Sequence, residues 1–334
     1  MRKKIKDTDY LAISARIKAM ENGLLTRERM EQVLEARTDE EALKLLQESG
    51  YPELHATDPE SLDAALSAAR EETLTDLTDS APDPRYIDIF KLKYDYHNVK
   101  AILKAGAMGV SPDHMLMDMG RVPAAELKKA LQSGELESLP PMVAAAAAEA
   151  REVLETTRDP QLSDIVLDRW CYKDMDAVAE TTGSAFLHGY VKAQIDAANL
   201  RSLIRTIRMG KNETFLAGIL FAGGEVAEDA ILKVSAGKGS GLKELYRSTR
   251  FQEAAEAGAE ALSDGPMTEF EKLCDDAVGD YLAGAQFVPF GEAPLVGYLA
   301  AKETEYTNLR ILLIGRSTGL PADVIRSRLR ASYV

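Results

Sequence analysis

At 334 residues, 46% hydrophobic but only 6% aromatic, the chain is long enough for two or three compact units and poor in the rings that strands favour. Forty basic against 54 acidic side chains leave a formal net charge of −14, a surface that repels nucleic acid and anionic lipid unless local basic patches override it. Two cysteines, Cys171 and Cys274, are too few for a disulfide framework and too isolated for a metal clip, so the expected setting is reduced and cytoplasmic.

The first stretch, MRKKIKDTDY, is basic, but Asp7 and Asp9 interrupt it and no apolar core of a signal peptide comes after it. Tyr10 to Met20 carries apolar residues at helical spacing, and Asn22-Gly23 punctuates it as a stop. Thr38-Asp39-Glu40-Glu41 reads as a capping box before a short amphipathic helix ending at Gly50-Tyr51-Pro52. Asp58-Pro59, Ser111-Pro112 and Asp159-Pro160 each offer a cap followed by proline at the first helical position. The longest greasy run, Phe215 to Gly223, is far too short to span a bilayer. Alternating strand patterns bounded by tight turns are absent, so the expected fold class is all-α. Charge is uneven along it: 35–79 and 251–280 are acid-rich, while 192–211 and 301–334 lean basic.

One pattern occurs three times. Asp95-Tyr-His-Asn98-Val-Lys100, Asp196-Ala-Ala-Asn199-Leu-Arg201 and Glu305-Tyr-Thr-Asn308-Leu-Arg310 all read acid-x-x-Asn-aliphatic-base. Each copy follows an aromatic and a lysine, and each precedes a glycine turn with a short amphipathic helix, at Gly120, Gly224 and Gly319. The copies imply three similar helical units of roughly 100 residues, with bounds at 1–133, 134–236 and 237–334. On a helix the acid, the Asn and the aliphatic residue share one face, and the base points away from it. A polar group on a buried face must find partners or cost a few kcal/mol. Two readings are open: the acid and Asn hydrogen-bond a neighbouring helix and fix packing register, or they are ligands for a substrate or metal. Recurrence in three units favours the first.

Other chemistry is thinly represented. Ser235-Ala-Gly237-Lys238-Gly239-Ser240-Gly241 resembles a phosphate loop but has Leu232 and Gly239 where the Walker pattern needs Gly and Ser or Thr. His55, His97, His114 and His188 are scattered, with no metal-ligand spacing and no nucleophile elbow. Cys274-Asp275-Asp276-Ala-Val-Gly-Asp280 is the sharpest enzymatic alternative, a helix on which Asp275, Asp276 and Asp280 would hold magnesium for diphosphate chemistry. The second aspartate-rich helix that such enzymes use is missing, and an acidic solvated face is the plainer reading. No catalytic residue, cofactor, metal site, nucleic-acid surface or small-molecule substrate is expected.

The threefold pattern, together with the opening helix Tyr10-Leu-Ala-Ile-Ser-Ala-Arg16-Ile-Lys-Ala-Met20 and the tail Ile325-Arg-Ser-Arg328-Leu-Arg330-Ala-Ser-Tyr333, resembles the family of C subunits of V-type and A-type rotary ATPases, called the d subunit in eukaryotes. The similarity spans essentially the whole chain. It implies a non-catalytic, funnel-shaped, pseudo-threefold helical body between the membrane rotor ring and the central stalk. Such a protein transmits torque for ATP synthesis or ion pumping, and its partners are rotor-ring (proteolipid) and stalk subunits. Its place is cytoplasmic, peripheral to the membrane through the ring. The competing reading is a generic α-helical scaffold, against which the long period argues, since scaffolds stack shorter repeats.

Overall fold

The computed structural model describes residues 5–51 and 59–334, and among them every regular element is a helix. The chain is all-α. Four helices come first: α1 (Leu11–Glu21), α2 (Arg27–Glu35), α3 (Asp39–Glu48) and α4 (Pro59–Ser80). Next come α5 (Arg85–Met108), α6 (Ala124–Ser133), α7 (Pro141–Thr157) and α8 (Pro160–Thr182). A further six are α9 (Ala185–Arg208), α10 (Glu213–Ala217), α11 (Glu228–Ala236), α12 (Leu242–Tyr246), α13 (Gln252–Leu262) and α14 (Met267–Ala283). The last two are α15 (Glu292–Ser317) and α16 (Ala322–Arg328). These divide between two compact units, one of residues 83–191 and one of residues 1–82 with 192–334.

Helix starts obey local chemistry. Thr26 accepts from the Arg29 N–H at the start of α2, and Thr38 accepts from the Glu41 N–H at the start of α3. Glu41 reaches back to the Arg37 N–H, so the box closes one residue before the cap itself. Asp159 caps α8 through the Gln161 N–H, with Pro160 at the first helical position. Ser111-Pro112 opens only a single 3-10 turn, Asp113–Met115, not an α-helix. The chain is extended again at Leu116, and side chains on α5 then hold the backbone beyond it. Asp58 lies outside the described residues.

In the 83–191 unit, α5 packs along α8, and α8 along α7. The alanine run of α7 finds its use here. Ala146, Ala147 and Ala150 are all 0% exposed, and the Ser163 hydroxyl on α8 donates to the Ala150 carbonyl at 3.0 Å. Small side chains let the two backbones approach closely, as larger ones would not. Near the start of α5, Phe90 stacks on Tyr190 with ring centroids 5.5 Å apart.

In the other unit, residues far apart in sequence share one core. Leu25, Val33 and Leu46 from α2, α3 and the turn before them meet Leu62 and Leu66 of α4 and Leu309, Leu312 and Leu313 of α15. Each fully buried leucine contributes about 1.5–3 kcal/mol over an exposed one, so this cluster is the main apolar tie between the early segment and α15. It explains the apolar stripe of the third repeat. The polar residues on the same stripe need a separate account.

Candidate functional site

The repeated pattern lies on three long helices, α5, α9 and α15, and its acid and Asn are buried on every one. Asp95, Asn98, Asp196, Asn199 and Asn308 are at most 1% exposed, and Glu305 is 5% exposed. A helix interior satisfies its own backbone, so these side chains must pair with something else.

Each asparagine grips a stretch of non-helical backbone. The Asn98 amide donates to the Met117 carbonyl at 2.7 Å, and the Met117 N–H donates back to Asn98 Oδ1 at 2.9 Å. Asn199 does the same with Phe221, at 2.8 and 2.9 Å. Asn308 does it with Arg330, at 3.1 and 2.8 Å. A primary amide offers one donor and one acceptor side by side, the same pair that a backbone residue presents. The contact therefore ties helix to turn, where helix-to-helix pairing was expected. Its backbone partners carry no side-chain signature, which is why the sequence did not disclose them.

The acid holds the residue a few positions further along the turn. Asp95 accepts from the Val122 N–H at 3.1 Å and from Arg121 Nε at 2.9 Å. Asp196 accepts from the N–H groups of Glu225 and Val226 at 3.0 and 3.1 Å. Glycine stands beside each carboxylate for lack of room: a Cβ at Gly120 or Gly224 would lie 2.2 Å from the Asp Oδ1. Glu305 departs from this. It accepts from the Leu25 N–H at 2.5 Å, from the Tyr51 hydroxyl, and from Lys302 at 2.6 Å. Being one methylene longer, it leaves the turn uncrowded, and a Cβ at Gly23 would meet only the Met20 carbonyl, at 3.4 Å. Gly319 is thus not the third counterpart of Gly120. With φ of +70° it ends α15 as Gly109 (+68°) ends α5 and Gly210 (+65°) ends α9, and Gly23 takes the place before the acid-held residue.

The bases leave the buried face and pair with carboxylates. Lys100 meets Asp168 on α8 at 2.5 Å, Arg201 meets Asp275 on α14, and Arg310 meets Asp63 on α4 at 2.6 Å. In every case the acid lies on the helix that precedes the next long helix. These pairs are partly solvated, so each is worth about 0–1 kcal/mol and sets orientation more than stability.

The other candidates are absorbed by the same architecture. Asp275 accepts from both Arg201 and Arg330, and Asp276 accepts from the Ala331 N–H and pairs with Lys272 at 3.4 Å. Asp280 feels the Asp276 charge, but among the described residues no group of three or more His, Cys, Asp and Glu could hold a metal. Gly237–Gly241 is the tight link between α11 and α12, and a Cβ at Gly239 would strike Leu262 at 2.5 Å. His97 contacts the Met115 carbonyl, His188 faces Asp176 at 3.6 Å, and His55 lies outside the described residues. Burial pushes the Cys171 and Cys274 thiols up to about 12, so neither is a thiolate at neutral pH. Sequence reading missed Arg121, which bridges Asp95 and Asp174, and Tyr51, whose phenol is pushed up by burial and by the Glu305 charge. Both lie far from their partners along the chain.

Asn199→Leu removes both hydrogen bonds to the Phe221 backbone, and equilibrium urea unfolding should show a loss of about 2–5 kcal/mol, against less than about 1 kcal/mol for Arg201→Ala. Burial holds Asp95 and Asp196 above the usual carboxylate range, against backbone N–H groups that pull them down. An acid whose folded pKa is raised stabilises fully below its unfolded value of about 3.9 and loses that contribution as pH rises through the folded value. The melting-temperature gap between the natural chain and Asp196→Asn should therefore be larger at pH 4 than at pH 7.

Comparison with known proteins fits the arrangement. Residues 13–328 match the family model of the ATP synthase (C/AC39) subunit. The chain is 25% identical to the C subunit of the V-type sodium ATPase of Enterococcus hirae, over 97% of this chain and 99% of that one. It is also 25% identical to the C subunit of the A-type ATP synthase of Methanocaldococcus jannaschii, over 96% and 86% of the two chains. The corresponding protein of Haloquadratum walsbyi is 26% identical over 94% and 96%. Each of these relatives is named as one subunit, C, of a multi-subunit ATPase or ATP synthase. With the match running through all three copies of the acid-x-x-Asn pattern, the chain belongs to the ATP synthase (C/AC39) subunit family, the C subunits of V-type and A-type ATPases.

Proposed function

We propose that this chain is a non-catalytic central-stalk adaptor, joining the membrane rotor ring of a V-type or A-type ATPase to its central shaft and passing torque between them. One observation carries the reading beyond family membership: the buried acid and Asn of the repeated pattern, on all three long helices, are engaged in holding turns to helices. Chemistry needs polar groups aimed at a vacant site, whereas torque transmission needs a body that does not deform. A buried two-bond clamp repeated three times supplies stiffness in the second sense.

The remaining parts agree. No helix among the described residues is long and apolar enough to cross a membrane, so contact with the membrane would run through the ring, on its cytoplasmic side. The net charge of −14, concentrated in acid-rich stretches, suits a basic shaft. Charge of this kind governs orientation and rate of docking more than final affinity.

Pull-down from membranes should recover the ring and stalk subunits with this chain; recovery of the chain alone, with a turnover of its own, would overturn the reading. Its affinity for the isolated stalk should fall by about tenfold or more between 50 and 300 mM salt, as expected when the attraction is screened beyond a Debye length of about 8 Å. A salt-independent affinity measured by calorimetry would remove the electrostatic part of the proposal.

A further inference from the structure

Two of the three clamped turns are single pieces of chain, and the third is not. On α5, Asn98 holds Met117 and Asp95 holds Val122, in one continuous segment. On α9, Asn199 holds Phe221 and Asp196 holds Val226, again continuously. On α15, Asn308 holds Arg330 while Glu305 holds Leu25, some three hundred residues away in sequence. Beyond the acid-held residue all three copies run alike: one linking residue, Pro123, Ala227 or Thr26, and then a helix, α6, α11 or α2. The third copy is thus assembled from residues 329–334 and residues 21–25.

We propose that residues 329–334 form a detachable strap, a segment docked in a seat on α14 and α15 that ties the α1–α2 region to α15. Its contacts are polar and spread along its length. Besides the Asn308 clamp, Arg330 Nε donates to Asp275 at 2.8 Å and the Ala331 N–H donates to Asp276 at 2.7 Å. The Tyr333 hydroxyl donates to Glu21 at 3.3 Å, and the Ser332 hydroxyl shares its one proton between the Val334 oxygen at 2.6 Å and the Leu25 carbonyl at 3.3 Å. Meanwhile none of residues 329–334 is fully buried. Beneath the strap, Leu25, Glu305, Asn308, Ser332 and Tyr333 line a cavity of about 10 Å³, the size of one water molecule. Within the continuous copy on α5, by contrast, Met119, two residues past the clamped position as Ser332 is, is buried. Leu329, half-buried against the leucine core, is the strap's apolar contact with that core; a segment held mainly by hydrogen bonds over a small void leaves its seat without dismantling that core.

The seat recognises an extended peptide by three features. Asn308 reads the backbone of one residue, the Asp275 carboxylate requires a guanidinium on that same residue, and Asp276 requires a free N–H on the next. The occupant it fits is this chain's own 329–334 segment. When the strap leaves, Leu25 loses the Ser332 contact and Glu21 the Tyr333 contact, so the turn before α2 is held to α15 by Glu305 and the leucine core, while Arg316 still bonds the Leu34 and Ala36 carbonyls at the far end of α2.

Hydrogen exchange read by mass spectrometry on the full chain tests this. Ala331→Pro deletes the N–H that Asp276 accepts and leaves the buried core untouched. Peptides covering 21–35 and 329–334 should both exchange about tenfold faster or more, while peptides from 83–191 keep their natural rates. In a chain stopped after Arg328, the synthetic hexapeptide Leu-Arg-Ala-Ser-Tyr-Val should restore slow exchange at 21–35, and the same peptide with its arginine changed to alanine should not. Faster exchange at 329–334 with no change at 21–35 would overturn the tie, as would a peptide that never slows the shortened chain. Should the shortened chain fail to fold, the Ala331→Pro result decides alone.

Discussion

A backbone amide that leaves a helix or a strand still needs a donor and an acceptor, and a neighbouring helix has none to give. Its own N–H and C=O groups are committed along its axis. Asparagine resolves this, since its short side chain carries the missing pair in one plane. Among the described residues, three times an asparagine on a long helix holds a turn through two hydrogen bonds. The turn residues held this way are Met117, Phe221 and Arg330, which have nothing in common but their backbones. The clamp reads main chain and leaves the side chains free to differ.

The other members of each set are dictated by that contact. An acid one helical turn earlier picks up the next free N–H groups, and where it is aspartate the approach is so close that only glycine fits beside it. Glutamate in the third copy relaxes the crowding and reaches Leu25 and Tyr51 instead. A base two residues after the Asn turns outward and pairs with the helix before the next long one, at Asp168, Asp275 and Asp63. Interior polar groups so fully partnered favour one packing over its near alternatives, because any slip leaves several of them unpaired at once.

Much of this was legible in the sequence and some could not be. Helical class, a few helix starts and the threefold pattern depend on local spacing, so Thr38, Asp159 and the Asp95, Asp196 and Glu305 series announced themselves, while Ser111-Pro112 opened only a 3-10 turn. The ion-pair partners did not, because Asp63 and Asp168 look like any acid on a solvated helix. Nor did the backbone partners of the asparagines, which have no residue type to search for. Gly319 was matched with Gly120 and Gly224 because it stands the right way along the chain, whereas Glu305 closes on Leu25 through space. Asp275 and Asp276 drew attention as a metal motif by their spacing alone. Their partners, Arg201, Arg330 and the Ala331 N–H, appear only once the helices are packed.

In the role proposed above, a body whose turns are pinned to its long helices would carry load without changing shape. The most direct test replaces Asn98, Asn199 and Asn308 together by leucine and tracks urea unfolding by far- and near-ultraviolet circular dichroism. Loss of the near-ultraviolet signal and of a sharp transition, with helix content kept, is the outcome expected if the clamps fix the packing. A cooperative transition at the natural urea midpoint, with the near-ultraviolet signal intact, would contradict it.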